Sequence, residues 1–181
     1  MFRRTFTFTL ILGLMLGLLP IASAQEDTTT FTIRLTNLSQ PLPITEAGVF
    51  NTPIDGNEPA PAFPNSAYSF DVHGVPGDVL SFATMLVQSN DLFFAPDPAG
   101  IPLFDEMGTP IEGDITAQVL LWDAGTEVNE APGEGPNQAP RQTAPNTGDD
   151  EMGVVGEVND GFSYPAVTEY IRVTIVPHTD M

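Results

Sequence analysis

Hydrophobic and polar positions alternate along short stretches of this chain, and breakers separate those stretches. Phe31, Ile33 and Leu35 fall on one side of residues 31–36, with Thr32, Arg34 and Thr36 on the other, which predicts a half-buried strand. Residues 37–43 read as a turn, and 44–66 as a long ordered loop with at most one short element, because prolines at 53, 59, 61 and 64 interrupt anything longer. A second alternating strand is predicted over Ala67–Val72, followed by a turn through Gly74-Val75-Pro76-Gly77-Asp78. Val79–Val87 is apolar at successive positions, the pattern of a central strand covered on both sides. Residues 92–104 hold Leu92-Phe93-Phe94 and Ile101-Pro102-Leu103-Phe104 around a proline-rich turn, and a short strand is expected near Pro110-Ile111. Ala117–Trp122 is a further strand, residues 129–150 are a long breaker-rich loop, 151–169 carry no firm element, and Tyr170–Val176 closes the domain as a strand facing Ile171, Val173 and Ile175 inward. Helical periodicity of useful length is absent after the first two dozen residues. The expectation is an all-β chain, an antiparallel β-sandwich with long irregular loops.

The start of the chain has another character. Met1-Phe2-Arg3-Arg4 precedes an apolar run from about Thr5 to Ile21, and Ala22-Ser23-Ala24 supplies small residues at an A-x-A site. Basic head, apolar middle and small-residue end are those of a secretory signal peptide over residues 1–24, cleaved after Ala24. The apolar core is short for a membrane span of ~20 residues. Arg3-Arg4 also faintly matches a twin-arginine signal. The reading is a secreted protein, extracellular or periplasmic, with residues 25–181 as one domain and no integral membrane segment once the leader is gone.

Charge narrows the partners. Outside the leader, three arginines (34, 141 and 172) stand against 24 acidic residues, a formal charge of −21. Nucleic acid and anionic lipid surfaces repel such a chain, whereas cations and basic partners suit it. Adaptation for solubility explains many of these acids equally well. Without cysteine the chain forms no disulfide and offers no thiolate to a metal or a substrate.

The stretch richest in candidate chemistry is Val119–Glu130. A strand end with the only tryptophan, Trp122, runs into Asp123-Ala124-Gly125-Thr126-Glu127. Gly125 permits a sharp turn that aims Asp123 and Glu127 at one spot, a place for a hard cation. Trp122 is expected to pack rather than to face solvent. The acid run Asp149-Asp150-Glu151 reads as a solvated turn. Catalysis has less to draw on: His73 and His178 lack an evident partner in sequence, and neither G-x-S-x-G nor H-E-x-x-H occurs. A carboxylate-dependent hydrolase acting on extracellular glycans is the competing class, since paired acids across a cleft suffice for it.

Two segments carry a resemblance. Ser81–Leu92, with a serine-containing turn ending in Asp91, and Leu121–Glu127, with Asp-Ala-Gly-Thr-acid beside a tryptophan, resemble the spondin-type N-terminal domain. Residues 129–141 look like the short secreted bacterial members. The resemblance spans roughly residues 30–176. It implies a C2-like β-sandwich that binds Ca2+ at one loop end and serves adhesion or recognition of an extracellular protein or glycan, without catalysis. By motif match it gives the ligand role to Asp91, Asp123 and Glu127. Apart from the resemblance, Asn90, Asn129 and Glu130 stand beside these positions as secondary oxygen donors. The chain departs from the animal pattern in lacking cysteines and following thrombospondin-type repeats, and in carrying Glu at 127.

Overall fold

The computed structural model describes residues 44–178. The leader and the strand expected over 31–36 lie outside the described residues. Among the described residues strand pairing begins at Val79: β1 (Val79–Leu80), β2 (Thr84–Met85), β3 (Leu92–Pro96), β4 (Ile101–Pro102), β5 (Gly113–Asp114), β6 (Val119–Asp123), β7 (Gly156–Glu157) and β8 (Thr174–Ile175) follow in order. A 3-10 turn at Thr116–Gln118 leads into β6, and one helical turn, α1 (Val167–Tyr170), precedes β8. Every strand pair is antiparallel, and the architecture is all-β. The central sheet runs β2-β3-β6-β7, while β1 pairs β4 and β5 pairs β8.

The β3–β6 ladder organises the rest. Leu92 stands opposite Asp123, Phe94 opposite Leu121 and Pro96 opposite Val119, so these positions share one face. Leu92, Phe94 and Val119 are buried there with Leu86, and Phe82, Leu121, Val158, Tyr164, Val167, Ile171 and Val173 close over them. On the other face Phe93 lies opposite Trp122, both half-buried. Trp122 packs as expected, and its indole Nε1–H donates to the Ala95 carbonyl at 3.1 Å. Asp123 therefore sits at the end of the core-facing row, beside Leu92. That register delivers a carboxylate to the sheet end with only 9% of its surface exposed.

Three expected strands are reshaped. Ala67–Val72 forms no ladder: Phe70 stacks on Phe50 with ring centroids 4.1 Å apart, and the Ala67 carbonyl accepts from the Ile54 amide in the neighbouring loop. Val79–Val87 is divided, because its first two residues pair with β4 and residues 84–85 pair with β3, in different sheets. In Tyr170–Val176 the alternation holds, with 171, 173 and 175 half-buried and 172, 174 and 176 exposed. The ladder there is only two residues long, since α1 takes Tyr170. Among the described residues no helix is long and apolar enough to cross a membrane.

Candidate metal centre

The site is assembled where β3 begins and β6 ends. The turn before β3 is closed by Ser89, a buried hydroxyl that donates to the Leu86 carbonyl at 2.5 Å and accepts from the Leu92 amide at 3.1 Å. This fixes Asp91 immediately ahead of the strand. One carboxylate oxygen of Asp91, Oδ2, accepts three bonds from the loop after β6: the Thr126 amide at 2.7 Å, the Thr126 hydroxyl at 2.6 Å and the Glu127 amide at 3.1 Å. Its other oxygen, Oδ1, is buried and has no hydrogen-bond partner among the described residues. An ionised oxygen enclosed without a donor is costly unless a cation balances it.

Asp123 is held as tightly. Its Oδ1 accepts the Gly125 amide at 2.7 Å and its Oδ2 accepts the Asn129 amide nitrogen at 2.6 Å. The loop can turn this sharply because Gly125 has φ +70°, and because a Cβ there would sit 2.7 Å from the Val154 nitrogen. The close approach comes from a second segment laid alongside. Glu127 bridges Asp150, Gly153 donates to the Gly125 carbonyl at 2.8 Å, Glu151 to the Thr126 carbonyl at 3.2 Å, and Val128 to the Asp149 carbonyl at 2.8 Å.

That pairing brings in the third acid. Asp91, Asp123 and Glu151 each place a carboxylate oxygen so that all three lie within 4.8 Å of one another, and these residues could hold a metal ion. Oxygens on opposite sides of an ion at about 2.4 Å are themselves about 4.8 Å apart, so the spacing is that of one shell. The cluster already strains its most exposed member. Desolvation, and then the charges of Asp123, Asp91 and Asp160, push the Glu151 carboxyl above its ordinary range. Asp160 is itself held by the Tyr164 hydroxyl at 2.6 Å. Burial, together with Asp160, raises the Tyr164 phenol far above its usual value, keeping it a neutral donor.

Asp91 and Asp123, two of the residues the sequence singles out, thus meet. Glu127 does not join their group. Its backbone amide serves Asp91, while its buried carboxylate accepts from the Asn90 side-chain nitrogen at 3.5 Å. Glu151 stands in the cluster instead; residues 149–151 are exposed, in keeping with the solvated-turn reading, yet Glu151 also brings an oxygen beside Asp91 and Asp123. Nothing near Glu151 in sequence announces this role, because a long-range pairing of 125–128 with 149–153 creates it. Asn129 positions Asp123, whereas Asn90 and Glu130 belong to another network. The Glu130 amide donates to the Asn90 oxygen at 3.1 Å, and the Glu130 carboxylate accepts the Asn137 amide and side chain at 2.9 Å each. Arg141 completes that loop by donating to the Gly133 and Gly135 carbonyls and to Gln88 and Gln138.

His73 lies elsewhere, donating its backbone amide to Glu46 at 2.8 Å with its ring Nδ1 3.1 Å from the same oxygen. The bond from the His73 amide is the main reason the Glu46 carboxyl sits below its ordinary range. No family model matches the chain, and no curated protein or solved structure matches it either.

Proposed function

We propose that this chain is an exported, calcium-stabilised recognition module of the spondin type, which binds an extracellular protein or glycan without catalysis. The observation that carries the cation reading is the unpartnered, buried Oδ1 of Asp91 beside the carboxylates of Asp123 and Glu151. Three carboxylates held together repel until a divalent ion balances them. Calcium suits the donors better than zinc, because the group contains neither cysteine nor histidine. It suits them better than magnesium, because acids drawn from three loop or strand-end segments form an irregular shell that calcium accepts and octahedral magnesium resists. The spacing within 4.8 Å fits one shared ion.

The test is thermal unfolding with calcium and with a chelator. An ion that binds only the folded state stabilises it by about 2.7 kcal/mol at a hundredfold excess over Kd, so Tm should rise with calcium. Asp123→Asn should remove most of that rise, while Asp149→Asn, at an exposed acid outside the cluster, should keep it. Equal responses from the two variants would reduce the effect to screening of a highly acidic chain.

A further inference from the structure

The ribbon formed by residues 125–128 and 149–153 has a use for the Glu127 carboxylate that the cation cluster leaves aside. Glu127 is 3% exposed, yet it lines a cavity of about 460 Å3 together with Thr126, Asn146, Gly148, Asp150 and Met152. The only hydrogen bond its carboxylate accepts among the described residues is the long one from Asn90, at 3.5 Å to Oε2. A second carboxylate lines the same cavity: Asp150, whose Oδ1 accepts the Met152 amide at 2.8 Å. Neither acid has a salt bridge among the described residues, where ion pairs join only His73 to Glu46 and Arg172 to Asp114. A carboxylate on so buried a side chain, held by one long bond and open to the cavity, is an acceptor suited to a cation.

We infer that this cavity receives the ammonium group of a lysine side chain from a basic partner protein. Three features select that ligand. The volume lies in the range of organic-ligand pockets, about 300–1,000 Å3, and is far larger than one bare ion needs. Only two acids line it, and among the described residues the single three-acid group is the cluster that excludes Glu127. The Met152 side chain supplies apolar surface for an aliphatic stem, and Glu127 and Asp150 line the cavity as two separate acceptors. A compact ammonium suits that arrangement better than the planar guanidinium, whose strength is bidentate pairing. The occupant comes from another molecule, because the chain contains no lysine.

The experiment uses the isotope-labelled protein in chelator, so that it stands apart from the calcium reading, and follows backbone amide shifts on titration with acetyl-Gly-Lys-Gly-amide. Saturable shifts centred on Thr126, Gly148 and Met152 are expected, with an affinity on the order of millimolar for one isolated side chain. Glu127→Gln should weaken binding at least about tenfold, and Asp149→Asn, which removes the same charge from an exposed acid, by no more than about twofold. The uncharged norleucine peptide should not bind, and the arginine peptide should bind more weakly than the lysine one. Shifts scattered over the acidic surface, equal losses in the two variants, or equal binding of the norleucine peptide would overturn the proposal. So would calcium moving these same amides in a way that Glu127→Gln abolishes, which would make the cavity a metal site. If Glu127→Gln loses its dispersed spectrum, Asp150→Asn decides, with at least about threefold weakening expected.

Discussion

Residues 44–78 and residues 129–153 are both rich in proline, glycine and asparagine, although only the first also carries several large apolar side chains, and the structure treats them differently. The first stretch is held by local turns, the Phe50–Phe70 stack and the Tyr68 hydroxyl on the Ala60 carbonyl, and it leaves Ile44, Val49 and Phe63 largely exposed. The second is folded against the sheet end, with Gln138 fully buried and Glu130 accepting from Asn90 and Asn137. The difference lies in where side-chain acceptors fall. In the second stretch, and in the β6 loop it meets, carboxylates and amides from distant segments take up backbone amides that would otherwise be orphaned. The first stretch carries acids too, but the Glu46 and Asp78 side chains accept from residues of that stretch itself, and its tie to the rest is the Asp78 carbonyl, which accepts from the Leu103 amide at 3.0 Å. Acidic side chains thus serve as loop anchors in a chain without disulfides, and breaker density alone says little about order.

The comparison is broken most directly by removing an anchor. Asp91→Ala deletes three charge-assisted bonds to residues 126 and 127 and should cost about 3 kcal/mol in urea unfolding, since such bonds contribute roughly 1.5–3 kcal/mol each and do not add fully. Asp149→Ala should stay within about 0.5 kcal/mol. Similar losses from both would mean that the loop is ordered by something other than its acceptors.

Glu151→Gln sharpens the contrast, because its sign should depend on the ion. The folded-state carboxyl binds its proton more tightly than the ordinary 4.5, so in chelator it opposes folding at neutral pH, and stability should rise as pH falls through the window just above 4.5. The variant should therefore raise Tm in chelator at pH 7, flatten that part of the pH profile, and shrink the calcium-induced rise. A lowered Tm in chelator would show that Glu151 contributes a favourable contact instead of repulsion.

The smallest effect belongs to the first stretch. Phe50→Leu removes an exposed aromatic stack and should cost less than about 1 kcal/mol, with the calcium response unchanged. A larger loss, seen by the same unfolding measurement, would mean that residues 44–78 are coupled to the sheet.

Local pattern made half of the central ladder legible. The strand expected over Ala117–Trp122 forms as β6, and the alternation of 171, 173 and 175 survives where the ladder is short, but its partner β3 falls at Leu92–Pro96, where the sequence marks only an apolar run before a proline-rich turn, and not at 79–87. Pairing between distant segments was not legible. Residues 67–72 alternate cleanly and still form no strand, because period 2 records which side chains can share a face and not whether a partner backbone is within reach. The same blindness governs the site. Asp123 stands out by its place at a strand end, and Asp91 by the serine-containing segment it closes. Glu151 depends on a bridge between residues 127 and 150, and the direction of the Glu127 side chain depends on which face of that ribbon the sheet end occupies.

The position of Trp122 has an optical consequence. It is the only indole in the chain, it precedes Asp123 in β6, and its Nε1–H is tied to the neighbouring strand through Ala95. Its emission therefore reports on the strand end that carries the cluster, free of overlap from any second tryptophan. Cation arrival, loop release and global melting can each be followed as changes in the colour and yield of one native fluorophore, with no label attached.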